Sequence, residues 1–154
     1  MTIDTSKIAR KEMRELLLHW DSQRSEIGLP RIENMSPVDI APFLKNVMLV
    51  EVEQHSQRIL YRQVGEDLTK VYGERIEGAY LDEMPKRFRR FAEPAYREML
   101  DDPKPRYARF RFVENWWVAT YERLMLPLLA MDEDRVAELI VAIYPKITPK
   151  ADAA

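Results

Sequence analysis

A chain of 154 residues, 46% hydrophobic and 32% charged, has the size and balance of one globular domain that buries its core without staples. A net charge of −2 and a pI near 5.8 give no bulk attraction to nucleic acid or to an anionic membrane. The absence of cysteine excludes disulfides, thiolate chemistry and Cys-ligated zinc or iron–sulfur sites.

The first residues, 1–11, are polar and mixed in charge, unlike a secretory signal. No apolar run approaches the roughly 18 residues of a membrane span. A soluble, cytoplasmic protein is expected. Met13, Leu16, Leu17 and Trp20 recur at helical spacing and predict a helix over 6–27, ended by Gly28 and Pro30. Ser36 opens a short second helix, with Pro37 in its first position and Asp39 in its first turn.

The period then changes. Residues 47–53 and 58–64 predict two strands, joined by a polar hairpin loop at 54–57. Residues 65–72 predict a short helix capped by Gly73, followed by a turn-rich stretch with Gly78, Leu81, Asp82 and Pro85. A longer helix follows over 86–100, and Pro94 marks where it would kink or divide. Strands are predicted at 106–114, 116–128 and 135–144, with turns at Glu114–Asn115 and at 130–134. Such short loops join antiparallel neighbours, since parallel crossovers need about a dozen residues or more. Residues 145–154 are expected to fray. The plan is α+β: a five-stranded antiparallel sheet with helices segregated on it, the N-terminal helix being a candidate cover for the second face. The expected division is an N-terminal helix and connection (1–35), a core (36–145) and a flexible tail (146–154).

In Ile59-Leu60-Tyr61-Arg62-Gln63-Val64-Gly65, in Leu68 with Tyr72-Gly73, in Gly78 with Leu81-Asp82 and Pro85, and in Leu126-Pro127-Leu128 before an acidic turn, the chain resembles a PAS domain. More narrowly, the chain resembles a compact bacterial PAS group in which Leu18-His19-Trp20 and Gly28-Leu29-Pro30 precede the sheet. In that group Tyr121-Glu122-Arg123-Leu124-Met125-Leu126-Pro127-Leu128 is the fourth-strand pattern. The match spans about residues 16–144, nearly the whole chain.

The resemblance implies a sensor or interaction module with a cleft between the sheet and the middle helices, and dimerisation through the helix before the sheet. It implies that the fourth strand shares its inward parity with Pro127, so that Met125, Arg123, Tyr121, Ala119 and Trp117 face the cleft. The fifth strand would then point Leu139, Val141 and Ile143 inward, with Phe91 and Tyr96 approaching from the helical side.

Arg123 is the most informative of these residues. A guanidinium in an apolar cleft needs an anionic partner. One reading makes it the anchor of an anionic ligand, with Tyr121 adding a hydroxyl and Trp117 a stacking face. The other gives it an internal carboxylate, or lets its tip reach solvent. Glu122 is expected on the opposite face, paired with Arg62 or Arg111.

Neither His19 nor His55 lies where haem-binding PAS proteins place their ligand, so haem is not expected. Flavin photochemistry of this fold uses a cysteine, so it is not expected either. The chain has no G-x-G-x-x-G and no P-loop; Gly73 and Gly78 have only the opening spacing of the latter. Nothing supports a catalytic triad, and Asp132-Glu133-Asp134 lacks the pattern of a calcium loop.

Lys86-Arg87-Phe88-Arg89-Arg90 interleaves cations with an aromatic, and Arg106, Arg109 and Arg111 would extend a positive surface if their strand lies nearby. An acidic protein partner fits this better than nucleic acid in a chain of negative net charge. The Met13, Leu16, Leu17 and Trp20 stripe covers the sheet or packs against a second copy in a homodimer, and both can hold because a helix has more than one side. The expectation is a regulatory domain, not an enzyme, that binds a small ligand or a protein partner and signals in trans. The alternative is a protein–protein adaptor with a filled core.

Overall fold

In the computed structural model, which describes residues 4–113 and 117–149 (Trp117 in its backbone alone), turn chemistry sets the element boundaries. Helix α1 spans Lys11–Ser22 and is shorter at both ends than its apolar period predicts. Before it, Ile8 N–H donates to Thr5 O at 3.0 Å, and the turn so formed tucks Ile8 into the core. Arg14 Nη1 holds that turn by donating to Ile8 O and Ala9 O. After α1, Gly28 adopts φ +96°, a conformation that side chains resist. Helix α2 (Pro37–Ile40) starts as expected, with the Ser36 hydroxyl accepting from Val38 N–H.

Strands β1 (Val47–Val52) and β2 (Ile59–Val64) form the first hairpin. Helix α3 (Glu66–Tyr72) stops at Gly73, whose N–H donates to Thr69 O. Helix α4 (Lys86–Asp101) runs through Pro94 undivided. Proline forfeits one intrahelical bond, but Ala92, Tyr96 and Met99 bury on both sides of it and hold the two halves on one core. Strands β3 (Arg106–Val113), β4 (Trp117–Leu129) and β5 (Val136–Pro149) follow. Strand β5 does not fray after Tyr144, because it keeps pairing with β4 as far as Trp117 opposite Pro149. The expected turn at Glu114–Asn115 and the end of the tail, 150–154, lie outside the described residues.

The five strands form one antiparallel sheet in the order β2-β1-β5-β4-β3, the PAS-like α+β arrangement expected from the sequence. Alternation along each strand divides the side chains between two faces. Met48, Val50, Tyr61, Met125, Leu139, Val141 and Ile143 join Leu68, Ile76 and the buried side of α4 in one core. Val47, Leu124, Leu126, Leu128, Ile140 and Ala142 join Met13, Leu16, Leu17 and Trp20 of α1 in the other. Trp20 is fully buried, and its Nε1–H donates to Pro127 O at 2.9 Å, fixing α1 to β4. The apolar stripe of α1 therefore covers the chain's own sheet. It is not a free surface for a second copy.

Candidate functional site

Between the first sheet face and α4 lies a cavity of about 650 Å³. All five strands contribute to its floor, and α4 with the end of α3 forms its roof. Of the residues predicted to face a cleft, Phe91, Tyr96, Tyr121, Arg123, Met125, Val141 and Ile143 all line it. Leu139 shares their face and is fully buried, but it lies deeper in the core than the cavity reaches. The side chain of Trp117 lies outside the described residues.

Residues that the sequence reading did not single out complete the lining. Phe88 precedes Phe91, Ala92 and Tyr96 at helical spacing, so the share of the roof that α4 supplies is one face of that helix. Phe110 and Phe112 alternate with Arg109 and Arg111 along β3, which puts the rings on the cavity side. These two periodicities are visible in the sequence. The contributions of Tyr61 and Tyr72 are less so, because Tyr61 follows a register shift between β1 and β2 and Tyr72 ends a short helix.

The rings hold one another at set angles. Tyr61 meets Phe88 edge-on at 5.9 Å and Tyr96 edge-on at 6.2 Å. Tyr72 stacks on Tyr121 at 6.5 Å, and Phe112 meets Tyr121 at 5.5 Å and Phe91 at 4.6 Å. Such pairs contribute about 0.5–1.5 kcal/mol beyond their area and fix the wall's shape. Phe91 remains half exposed, so this side of the wall meets solvent.

Two cations and no carboxylate line the cavity among the described residues: Arg87 and Arg123. The Arg123 guanidinium lies 4.6 Å from the centre of the Phe110 ring. Its Nε is enclosed by protein and has no hydrogen-bond partner, and no ion pair of Arg123 occurs among the described residues. Burial pushes its pKa down, opposed by the neighbouring Tyr96, Tyr72 and Tyr61 hydroxyls and by Glu98. Glu98 does not serve as its internal partner, since Glu98 Oε1 accepts from Arg106 Nη1 at 2.8 Å.

The phenols are shifted as well. Burial raises the pKa of Tyr61 well above its ordinary value and pushes that of Tyr96 up to about 12. Burial raises Tyr72 and Tyr121 in the same direction. The Tyr61 and Tyr96 hydroxyls influence each other's ionisation, yet Tyr61 Oη is buried without a hydrogen bond of acceptable geometry. Phenols held protonated are hydrogen-bond donors and poor bases. The site thus offers an apolar, ring-lined space with a cation and several donors.

Several expected pairings resolve differently. Glu122 does lie on the opposite face, but it accepts from Tyr107 Oη at 3.1 Å and stands 4.0 Å from Arg10 Nε, because β3 places Tyr107 and the start of α1 over it. Arg62 instead donates to Glu138 at 2.7 Å. The positive surface imagined from 86–90 to Arg111 is not continuous. Arg106 is held by Glu98 and Asp102, whereas Arg109 and Arg111 border a separate depression with Thr120 and Lys146 on the other sheet face. His19 sits 3.6 Å from Asp39 on the α1 side, His55 is exposed in the β1–β2 turn, and neither borders the cavity. No group of three or more potential metal ligands occurs among the described residues, and no helix is long and apolar enough to cross a membrane.

No known protein family, curated protein or solved structure matches the chain.

Proposed function

We propose that this chain is a PAS-like regulatory module that holds a small organic ligand between its sheet and α4 and passes the occupancy of that cavity to a protein partner. The observation that carries the reading is the cavity itself. A core of this quality on both sides of a sheet normally closes to crystal-like density, yet about 650 Å³ stays open beside α4, within the range of small-molecule sites. A filled-core adaptor needs no such space. Binding rather than catalysis fits the lining, which holds protonated phenols and guanidinium groups with no candidate base beside them among the described residues. Association of two copies through α1 would use its outer side, where Leu18 is half exposed, since the apolar stripe is spent on the sheet.

Denaturing extraction of freshly purified protein, followed by mass spectrometry, tests the reading. One organic compound in near-stoichiometric amount is the expected result. Its absence, together with no thermal stabilisation by any member of a metabolite panel, would return the chain to the adaptor class.

A further inference from the structure

Resting on the reading of the cavity as a ligand site, we infer that its ligand is a monocarboxylate with a flat apolar body, its carboxylate held on the Arg123 guanidinium. Three independent features lead there. First, Arg123 is one of the two cations in the ring-lined space, with no ion pair among the described residues and an enclosed Nε that bonds to nothing. A buried donor or charge left without a partner is costly, and a ligand that supplies the partner recovers that cost on binding. Second, Glu98, the carboxylate whose charge reaches Arg123, is engaged by Arg106. Among the described residues, no carboxylate of the protein competes for the position.

Third, the guanidinium carbon lies 4.6 Å from the centre of the Phe110 ring, a contact that uses its charge and leaves its N–H groups for recognition. Side-by-side N–H groups match the two oxygens of one carboxylate. A charge of minus one matches the Arg123 guanidinium, since Arg87, the other cation of the lining, has an interaction of its own, and the surrounding phenols can add neutral hydrogen bonds without adding charge. The rest of the ligand meets Phe88, Phe91, Phe112 and Tyr121, whose rings favour offset or edge-on packing with another flat surface. A bare inorganic anion would leave those walls without contact.

Calorimetric titration with naphthylacetate, naphthylethanol, naphthylethylamine and acetate tests the inference, since the first three share one apolar body and differ in charge. The carboxylate is expected to bind wild type about ten- to hundredfold more tightly than the alcohol or amine, the scale of a hydrogen bond to a charged group. Acetate should bind far more weakly than naphthylacetate. Arg123→Met should reduce the carboxylate to the affinity of the alcohol, and Arg123→Lys, which keeps the charge and loses the fork, should fall between. If Arg123→Met does not fold, the wild-type series and the lysine variant still decide. Equal affinity for all three naphthyl compounds would overturn the inferred ligand class and leave the cavity reading standing. Binding of none, with no compound recovered on extraction, would overturn both.

Discussion

Arg123 also has a consequence for stability. A salt-bridging arginine is lost at a cost, whereas a buried cation with no ion pair among the described residues, held against the Phe110 ring, contributes little to the fold. Arg123→Met is therefore expected to stabilise the protein without added ligand by about 1 kcal/mol, read from urea unfolding at constant m-value. A loss of several kcal/mol would show that the guanidinium has a structural partner.

Glu138 behaves in the opposite sense. Its side chain is 6% exposed and bound by Arg62, and burial still raises its pKa above the ordinary 4.5. A carboxyl that holds its proton more tightly in the folded state contributes stability below its unfolded pKa and loses it as pH rises through the folded value. Glu138→Gln removes that dependence. Relative to wild type, the variant should gain stability between acid and neutral pH, measured as the difference of two urea series. Gly65 is fixed by space and not by φ: a Cβ there would collide with the backbone carbonyls of Leu44 and Lys45. Gly65→Ala should cost at least about 2 kcal/mol, because backbone cannot yield as a side-chain tip does.

At the scale of elements, α1 is the part whose removal has the clearest outcome. It covers Leu124, Leu126, Leu128, Ile140 and Ala142, all buried, and is tied down by Trp20. Trp20→Ala should destabilise by about 3–5 kcal/mol, the usual cost of emptying a tryptophan site. A chain starting at Gly28 should aggregate, since it exposes a contiguous apolar sheet face. A soluble, folded truncation would contradict the assignment of α1 as the sheet's cover.

The same elements show what the sequence could and could not tell. The stripe of Met13, Leu16, Leu17 and Trp20 identified the buried side of α1 by its period, whereas the cavity sides of β4 and β5 followed from what the PAS resemblance implies for those strands. Period-based reasoning succeeds where one face is buried along a whole element. It failed where neighbours decide: Ile8 folds back into the core instead of extending α1, and β4 draws β5 out to Pro149. The partners of Glu122 and Arg62 depend on sheet order, which adjacent spacing does not encode. The size of the cavity was beyond sequence altogether, because the same Met and aromatic side chains can fill a space or frame it.

For the whole molecule, the phenols predict an alkaline limit. All seven tyrosines, spread over the sheet and α3, α4 and the turns, have their ionisation pushed above the ordinary value of 10.0, by burial foremost at all but Tyr80, where the hydrogen bond to Glu53 leads. Below that value neither state ionises and stability is unaffected. Above it the unfolded chain releases protons first, so stability falls as pH rises through the folded values. For the deeply buried Tyr61, Tyr72 and Tyr96, tyrosinate absorbance should therefore appear together with loss of near-ultraviolet circular dichroism, not ahead of it. Reversible ionisation of these three near the ordinary value of 10.0 in a fully folded protein would contradict the packing described around their rings.

The two-sided sheet also places natural reporters for its central feature. Met48, Met84 and Met125 line the cavity, whereas Met13 and Met35 belong to the core under α1. Methyl-labelled methionine followed by two-dimensional NMR during titration with naphthylacetate tests most directly that the space beside α4 is a ligand site. The predicted result is a saturable shift of the Met48, Met84 and Met125 methyl resonances with Met13 and Met35 nearly unmoved. Shifts centred on Met13 and Met35 would contradict it, as would no shift at concentrations that shift a control protein together with no compound recovered on extraction.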